Sequence, residues 1–372
     1  MKIAIFHNFL DNIGGAEMVG LILARKLNAD VYTTNINEDK INKMGFSDVL
    51  PRIYSIGKVP INAPFKQQFA VWKFRFLNLK SKYDFYIIDG DWAMSGAVKN
   101  KPNLWYVHSP IREIWDLYKY TRQNTVPWFI RYFFDVWVFY NRYLNRLYIN
   151  HVTKIVCNSK NTQGRLKKFL KKEAVVINPP IETSNFVYKK NGDYWLSVNR
   201  LIAHKRIDLQ LKAFSKLPNE KLIIVGSYEQ SKHFLQYADY CKGIKPKNVE
   251  IKSWVSQEEL IELYANCKGF ITTSHDEDFG MNVVEAMASG KPVIAPNEGG
   301  YKETIINSKT GILIDGINEN KLTDVIIKLG KEINDNSLKL KEDCQNQAKK
   351  FDTQIFIKKI KEAINYNLSS DK

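Results

Sequence analysis

Residues 270–300 read FITTSHDEDFGMNVVEAMASGKPVIAPNEGG and combine two short apolar runs with a helical pattern between them. The runs 270–273 and 293–295 predict buried strands. An acidic loop follows the first strand, and a helix is expected over about residues 279–289. Apolar strands that alternate with helices are typical of a parallel sheet covered on both faces, so this stretch predicts an α/β fold.

The same alternation occurs in both halves of the chain. A proline-containing linker, 178–191, separates the halves, which predicts two Rossmann-like, doubly wound parallel-sheet domains facing across a cleft. We expect domains over 1–180 and 181–352, with a last helix over 353–372 that rejoins the first domain. The other strands are expected over 2–9, 29–33, 84–88, 104–107, 154–157, 175–177, 194–198, 222–225 and 312–314, and the other helices over 16–28, 205–217 and 256–266.

Size and cysteine content narrow the class of protein. A chain of 372 residues, 44% of them hydrophobic, suits two domains that each bury a core. Its four cysteines form no Cys-x-x-Cys pair, which is typical of a protein of the reducing cytosol. The N-terminal residues, MKIAIFHNF, lack the features of a signal peptide, so a cytoplasmic location is expected.

The positive charge of the chain is concentrated in its first half. The net charge is +16, and residues 1–180 hold 27 Lys and Arg against 13 Asp and Glu, whereas residues 181–372 hold 28 against 26. A one-sided basic domain indicates a polyanionic partner, either nucleic acid or an anionic membrane surface. The basic residues match no nucleic-acid recognition module, which favours the membrane.

An amphipathic aromatic segment lies within that basic half. Residues 65–82 read FKQQFAVWKFRFLNLKSK, and their aromatic residues follow a helical spacing. The segment either lies at a bilayer interface, on the membrane and acceptor side of the protein, or packs against its own domain. The aromatic face includes Trp72, and Lys66, Lys73 and Lys80 recur along its flank.

A second aromatic stretch is WFIRYFFDVWVFY, residues 128–140. A membrane-spanning helix needs about 20 mostly apolar residues, so this stretch is too short to be one. It is expected to be either an interfacial helix or a core helix, with part of it in the core.

Two carboxylates flank the helix expected after residue 279. Glu277 precedes it and Glu285 lies within it, with seven residues between them. Gly280 allows the backbone to approach a ligand closely, and the first amides of the helix, at Met281, Asn282 and Val283, suit a phosphate group. The carboxylates would hold sugar hydroxyls. An ordinary surface helix behind an acidic loop is the equally weighted alternative.

Two cations follow the strand expected at residues 194–198. Arg200 comes directly after the strand, and Lys205 is expected to begin the next helix. An Arg and a Lys can neutralise a departing diphosphate without a metal. Two solvated cations in a strand–helix turn are the alternative.

Weaker signals lie at other strand ends. Gly14 and Gly15 follow the first strand and permit a close backbone approach, but the Gly-x-Gly-x-x-Gly pattern of nicotinamide enzymes is absent. His108 ends another strand, where α/β proteins bind ligands. Backbone contacts near Gly226 and Trp254 are expected to select the base of a nucleotide.

An Asp-Gly-Asp motif follows the strand expected at residues 84–88. Such a motif can bind a divalent cation. Because Arg200 and Lys205 already offer two cations for one diphosphate, we interpret Asp89 and Asp91 as loop or acceptor-side residues, with no metal required.

Taken together, these motifs resemble the family 4 retaining glycosyltransferases of the GT-B fold. The resemblance covers nearly the whole chain, in the order GGAE, VHSP, CNS, NRL-x3-KRID and E-x7-E with FG after the first Glu. Within the family, HSPIREIWD and DEDFGMNVVEAMASGKPVIAP look most like bacterial and archaeal mannosyltransferases that use GDP-mannose.

The resemblance implies a role for each matching position. Arg200 and Lys205 would bind the donor diphosphate, Glu277 the sugar hydroxyls and Glu285 the nucleotide ribose, and His108 would contact the sugar. Residues Phe279, Gly280, Met281, Asn282 and Val283 would hold the sugar and phosphate through their backbone, and Gly14 and Gly15 would approach the phosphate and acceptor. The catalytic set would be His108, Glu277, Arg200 and Lys205.

The reaction that this implies is a metal-independent, retaining transfer of mannose to a hydroxyl group of a lipid-linked or surface-glycan acceptor. The first domain would attach the protein peripherally to the inner face of the cell membrane. Three alternatives remain open: a UDP-sugar donor, an inactive scaffold of the same fold, and a basic nucleic-acid-binding protein. The retained Arg200, Lys205, Glu277 and Glu285 argue against the scaffold.

Overall fold

The computed structural model describes residues 1–226, 232–253 and 255–370. The chain divides into two compact units. The first unit comprises Met1–Pro180 and Phe356–Lys372, and the second comprises Ile181–Ile355.

The first unit contains a parallel sheet of seven strands within the described residues, in the order β3-β2-β1-β4-β5-β6-β7. All neighbouring strands pair in parallel, as the apolar runs predict. The strands are β1 (Ile3–Phe6), β2 (Asp30–Thr33), β3 (Ile53–Ser55), β4 (Phe85–Ile88), β5 (Asn103–Val107), β6 (Lys154–Cys157) and β7 (Val175–Val176).

Helices cover this sheet, and a core of aromatic residues such as Phe6, Phe74 and Trp105 fills the space beneath them. Helix α6 begins with a side-chain cap, because Ser159 Oγ accepts a hydrogen bond from Thr162 N at 3.0 Å. The helices in 1–180 are α1 (Gly15–Leu27), α2 (Glu38–Lys43), α3 (Phe65–Phe76), α4 (Tyr118–Asn124), α5 (Arg131–Tyr148) and α6 (Lys160–Arg165).

The second unit contains a parallel sheet of six strands among its described residues, in the order β10-β9-β8-β11-β12-β13. The strands are β8 (Tyr194–Val198), β9 (Lys221–Val225), β10 (Val249–Lys252), β11 (Gly269–Ile271), β12 (Val293–Pro296) and β13 (Gly311–Ile314). The helices are α7 (Ile207–Ser215), α8 (Lys232–Gly243), α9 (Gln257–Asn266), α10 (Met281–Ala288), α11 (Tyr301–Thr304) and α12 (Glu319–Ala348).

Both faces of the second sheet are covered. Trp195 and Leu196 are neighbours in β8 and both are fully buried, yet they belong to different core clusters because successive strand residues point to opposite faces. Trp195 packs with the α7 side of the sheet and Leu196 with the α10 side. The expected doubly wound α/β fold is therefore confirmed for each unit.

The last helix, α13 (Thr353–Ser370), begins in the second unit and continues into the first. Its Phe356 ring packs edge-on against Tyr106 with centroids 5.6 Å apart, and Lys154 Nζ donates to Ala363 O at 3.5 Å. The chain thus contributes its C-terminal helix to the first unit.

The strand order places a topological switch point in each sheet, where ligands bind in open α/β folds. In the first sheet β2 and β4 lie on opposite sides of β1, and in the second sheet β9 and β11 lie on opposite sides of β8. The loops after β1 and β4, and those after β8 and β11, therefore meet at the carboxyl edges of their sheets.

Several expected boundaries were wrong. The helix expected over 205–217 begins only at Ile207, because Arg206 has the left-handed φ of 50° that separates it from a short 3-10 turn, Ala203–Lys205. Lys205 therefore ends a turn and does not begin a helix. The aromatic segment expected over 65–82 is helical only to Phe76, so Lys80 lies outside the helix.

Candidate active site

The predicted donor-site residues of the second unit lie at the carboxyl ends of neighbouring strands. Asn199 and Arg200 follow β8, residues 272–280 follow β11, and residues 297–300 follow β12. The Asn282 side chain donates to Val198 O at 2.7 Å, which fixes the start of α10 against the end of β8. The residues predicted from two separate motifs thus lie at one edge of the sheet.

Lys205 and Glu277 form an ion pair there. Lys205 Nζ lies 2.6 Å from Glu277 Oε2, and the two side chains are 14% and 20% exposed. Burial would raise the pKa of Glu277, but the ammonium of Lys205 and the nearby His204 outweigh burial and lower it to about 2. Glu277 is therefore ionised at neutral pH, and the ion pair places a cation and an anion side by side at the strand ends.

A second ion pair supports this arrangement. The left-handed Arg206 donates through Nε to Thr273 O at 2.6 Å and through Nη2 to Glu298 Oε1 at 2.7 Å. Glu298 also contacts His275 Nδ1 at 2.6 Å and accepts from the backbone of Asp276 at 3.2 Å. Sequence reasoning missed Glu298, although it lies in the motif that was quoted, because its partners come from other loops.

Gly280 opens α10 with a backbone that only glycine adopts readily. Its φ is 88°, and a Cβ at this position would lie 2.6 Å from the ring of Tyr301. Phe279, by contrast, is buried and packs edge-on against Phe351, with ring centroids 5.4 Å apart. Its side chain therefore anchors the loop in the core.

The amide of Val283 does not match the expectation that it is open to a ligand. Val283 N donates to Gly280 O at 3.1 Å and lies 2.9 Å from Asn282 Oδ1. Those bonds close the first turn, so the amides of Met281 and Asn282, which begin the helix, are the ones that fit the predicted phosphate contact.

Two glycines allow the loop after β12 to pack closely against the loop that contains Glu277. A Cβ on Gly299 would lie 2.4 Å from Glu277 O, and a Cβ on Gly300 would lie 2.5 Å from Phe279 Cα. Gly300 N also donates to Glu277 O at 2.8 Å. These contacts position the Glu277 backbone, and the Asn-Glu-Gly-Gly sequence at 297–300 was their sequence signal.

Glu285 occupies a different environment from Glu277. It accepts a hydrogen bond from Tyr264 Oη at 2.9 Å. Burial raises the pKa of Glu285 to about 6, and the bond from Tyr264 only partly offsets the rise. Two carboxylates on one motif therefore have pKa values on opposite sides of the ordinary value.

Arg200 and Gly226 also lie at the strand ends. Arg200 is exposed directly after β8. Gly226 is buried after β9, and a Cβ there would lie 1.9 Å from Asn199 O, so glycine allows the two strand ends to touch. Trp254, named with Gly226 for base selection, lies outside the described residues.

In the first unit, a buried carboxylate joins two histidines. Asp89 is fully buried; its Oδ1 lies 2.8 Å from His108 Nε2 and its Oδ2 lies 2.9 Å from His7 Nδ1. Burial would raise the pKa of Asp89, but the two imidazoles lower it. Asp89 lies in the loop directly after β4, as expected, and both its oxygens contact histidines; its assignment to the acceptor side stays a prediction.

Glycines at the start of α1 and within it leave room for neighbouring carboxylates. Gly14 precedes α1 and Gly15 begins it. A Cβ on Gly14 would meet the Glu17 carboxylate at 2.5 Å, and one on Gly20, a turn into the helix, would meet Asp89 Oδ2 at 2.4 Å. Helix α1 therefore packs closely against His7 and Asp89 at Gly20.

The three lysines predicted on the membrane side differ in their exposure and contacts. Lys66 Nζ pairs with Asp11 Oδ2 at 2.7 Å and lies over the Phe9 ring, so it points toward its own unit. Lys73 is half-buried on α3, and Lys80 is exposed beyond the end of the helix. Trp72 is 44% exposed.

Comparison with known proteins shows a match to a family model in the second unit. The family model of the glycosyl transferases group 1 matches residues 181–351. The chain is 29% identical over 214 residues to an uncharacterized glycosyltransferase of Methanocaldococcus jannaschii, MJ1178, covering 56% of this chain and 58% of that protein. The chain therefore matches little more than half the length of that relative.

A longer match and a solved structure extend the likeness to both units. Over 374 aligned residues the chain is 25% identical to the alpha-1,3/1,6-mannosyltransferase ALG2 of Candida glabrata, covering 82% of this chain and 78% of that one. The crystal structure of Anabaena HepE in complex with UDP-glucose superimposes with a TM-score of 0.76 at 16% identity, covering 98% of this chain and 100% of that one. At this identity the likeness shows the fold alone, and it confirms the GT-B expectation.

Proposed function

We propose that this chain, a GT-B glycosyltransferase by its glycosyl transferases group 1 domain at residues 181–351, transfers mannose from GDP-mannose to a hydroxyl group of a lipid-linked or surface-glycan acceptor. The observation that carries the proposal is the Lys205–Glu277 pair beside the start of α10, at the switch point of the second sheet. A cation and helix-end amides at one sheet edge suit a diphosphate.

Each group at this edge has a role in donor binding. Lys205 and Arg200 bind the diphosphate, and the amides of Met281 and Asn282 add donors where the positive end of the helix dipole lies. Glu277, ionised because Lys205 is beside it, accepts hydrogen bonds from sugar hydroxyls. Glu285 holds the nucleotide ribose.

The proposed reaction retains the configuration of the sugar. The bond from the anomeric carbon to the diphosphate oxygen breaks, and the acceptor hydroxyl forms its bond to that carbon from the same face. The acceptor proton passes to the departing phosphate oxygen. Negative charge accumulates on the diphosphate in the transition state, so the cations lower the barrier more than they strengthen ground-state binding.

His108 is proposed to contact the sugar. Asp89 holds its ring through Nε2 and is itself fixed by His7. An imidazole whose orientation is set by a buried carboxylate loses little freedom when it binds, which favours a defined sugar position.

The proposal requires no metal, since Arg200 and Lys205 supply the positive charge. Asp89, the first carboxylate of the Asp-Gly-Asp motif, is already engaged by two histidines. Transfer that continues unchanged in a strong chelator supports metal independence, and transfer that stops and returns with added Mg²⁺ or Mn²⁺ contradicts it.

A UDP-sugar donor is the second candidate, because HepE, which shares the fold, was solved with UDP-glucose. The likeness to the alpha-1,3/1,6-mannosyltransferase ALG2 of Candida glabrata favours the transfer of mannose. A panel of GDP- and UDP-sugars, followed by the release of nucleotide, distinguishes the two. Release from GDP-mannose alone supports the proposal, and release from UDP-sugars alone overturns its donor.

Peripheral attachment to the cytoplasmic face of the membrane completes the proposal. The excess positive charge of residues 1–180 supports it, as do the exposed rings of α3. Among the described helices, none has the length and apolar character needed to cross a bilayer.

A further inference from the structure

Helix α5 carries an outward face of large apolar side chains. Phe139 is 77% exposed and Phe133 is 70% exposed, values that are unusual for phenylalanine on a folded protein. Exposed apolar side chains recur every three to four residues along this face of the helix: Tyr132, Phe133, Val136, Phe139, Tyr143 and Leu147. Trp128, 78% exposed, extends it into the preceding turn. The expectation that part of 128–140 lies in the core holds only for the opposite face.

That opposite face attaches α5 firmly to the first unit. Val138, Leu144 and Tyr148 are buried in its core, and Trp115 Nε1 donates to Asn145 Oδ1 at 3.2 Å. The outward rings are therefore held on a rigid, packed helix.

Helix α3 lies beside α5 and exposes rings of its own. Asn141 Nδ2 donates to Gln68 Oε1 at 3.4 Å, so the two helices are in contact at this point. The exposed rings of α3 are Phe65, Phe69, Trp72 and Phe76.

We call these outward rings of α3 and of 128–147 the aromatic surface. Cations flank it: Lys99 Nζ lies 5.7 Å from the Phe76 ring, and Arg146 is exposed on α5. The sequence of α3 contains no acidic residue. The one carboxylate of α5, Asp135, is already bound by Arg122 and Tyr118.

The composition and charge of the aromatic surface indicate which kind of partner binds it. Tyr and Trp beside Phe, with basic residues at the flank, match the interfacial region of a bilayer, where an apolar ring and a polar tip are both solvated. A second copy of the chain would bring together two units with 27 basic and 13 acidic residues in 1–180, a like-charge contact that is unfavourable. Anionic lipid is complementary to the same charge.

We propose that α5 and α3 together insert the aromatic surface into the interface of an anionic membrane, with α5 as the main inserting element. The proposal deepens the membrane attachment proposed above and rests on it. It assigns that attachment chiefly to α5, whereas the sequence pointed first to the 65–82 segment and left residues 128–140 open between the interface and the core.

Vesicle flotation tests the assignment. Phosphatidylcholine vesicles with and without phosphatidylglycerol are mixed with the wild type and with the variant Trp128→Ser/Phe133→Ser/Phe139→Ser. The wild type is expected to float with the anionic vesicles, and the variant to bind at least about tenfold more weakly because three apolar anchors are lost. The matched control Val187→Ser/Ile327→Ser/Leu338→Ser removes three exposed apolar side chains from the second unit and is expected to float like the wild type.

Equal flotation of the wild type and the aromatic variant overturns the assignment, as does equal binding to both vesicle types. Light scattering of the wild type adds a third outcome. A dimer that the aromatic variant dissociates assigns the surface to self-association and also overturns the proposal.

A site-specific probe gives a readout that does not depend on affinity. The four native cysteines are buried, so Phe139→Cys can be labelled selectively with an environment-sensitive fluorophore, and Leu338→Cys provides the equivalent label on the second unit. A blue shift at 139 alone on addition of anionic vesicles supports insertion, and no shift at 139 contradicts it.

Nucleotide release without vesicles separates this inference from the proposed function. The aromatic variant is expected to release nucleotide from the donor at the wild-type rate. If the wild type releases none from any sugar nucleotide while vesicle binding persists, the proposed function fails and the membrane surface stands.

Discussion

Lys205 Nζ lies 2.6 Å from Glu277 Oε2, joining the turn after β8 to the loop after β11 across the switch point of the second sheet. Both partners are largely buried, and Lys205 stabilises the charged form of Glu277. In the proposed function, the lysine of this pair binds the donor diphosphate.

Glu277→Gln is expected to remove a contribution to folding stability that depends on pH. Since folding lowers the pKa of Glu277 from 4.5 to about 2, the contribution is complete above 4.5 and is lost as the pH falls toward 2. We expect the variant to be less stable by about 1–3 kcal/mol at neutral pH. The difference in unfolding free energy between wild type and variant, measured by denaturant titration, should shrink in acid. A difference that is constant down to the lower pKa contradicts the pairing.

Ionisation of Glu285 is expected to change the folding stability with pH in the direction opposite to that of Glu277. Because folding raises its pKa to about 6, its ionised form destabilises the fold, and stability is gained as the pH falls from above 6 to below the ordinary value of 4.5. If the ionised carboxylate holds the ribose, nucleotide affinity weakens below about 6. Calorimetry should show this loss in the wild type and no such loss in Glu285→Gln. An unchanged pH dependence in the variant would argue against the ribose contact.

Asp89→Asn tests whether the buried carboxylate positions His108. We expect kcat to fall by roughly ten- to a hundredfold, since hydrogen bonds to charged groups contribute about 1.5–3 kcal/mol. Donor KM should change much less. Asp84→Asn, which removes a carboxylate that is 61% exposed on the same unit, is the matched control.

Folding raises the pKa of His7, against the effect of burial, through Asp89 with a smaller contribution from Glu17, while His108 opposes it. The stabilisation by protonated His7 is thus complete below its ordinary value of 6.5 and is lost as the pH rises through the folded pKa. Asp89→Asn should abolish that dependence. A variant with normal kcat and an unaltered pH profile would show that Asp89 is only structural.

Gly300→Ala should damage the Glu277 loop. Its Cβ would lie 2.5 Å from Phe279 Cα, so the backbone must shift, at a cost of about 1–3 kcal/mol in stability. Gly164→Ala is the control, because a Cβ there meets nothing within 4 Å and lies in a helix, where alanine is favoured. Thermal denaturation and nucleotide affinity measure both effects. Equal behaviour of the two variants would contradict the close contact of the loops.

The sequence predicted the parallel α/β sheets well because buried strands such as β4 are continuous apolar runs. It also predicted the helix over 256–266, which begins where Ser256 Oγ accepts from Glu259 N at 3.1 Å. The short strands β3 and β10 were missed, since IYS and VEIK are too short and too polar for a periodic signal. Helix α12, with a kink at Asn336, was missed as well.

The motifs predicted which loops form the candidate site but not how the loops hold one another. Arg206 was quoted only as part of a motif, yet its left-handed backbone turns its side chain to Glu298, 92 residues away. The contact between His7 and Asp89 likewise joins residues 82 positions apart. Such pairs depend on strand order, which local spacing does not contain.

The central claim is that Lys205 stabilises the departing nucleoside diphosphate, and single-turnover transfer from GDP-mannose by Lys205→Ala tests it most directly. We expect the chemical rate to fall about 10²–10³-fold, the loss seen when one oxyanion donor is removed, with a smaller loss of GDP affinity. Lys212→Ala, a surface lysine paired with Asp208 on α7, should transfer at the wild-type rate. A Lys205→Ala protein that folds normally and transfers as fast as the wild type would contradict the account.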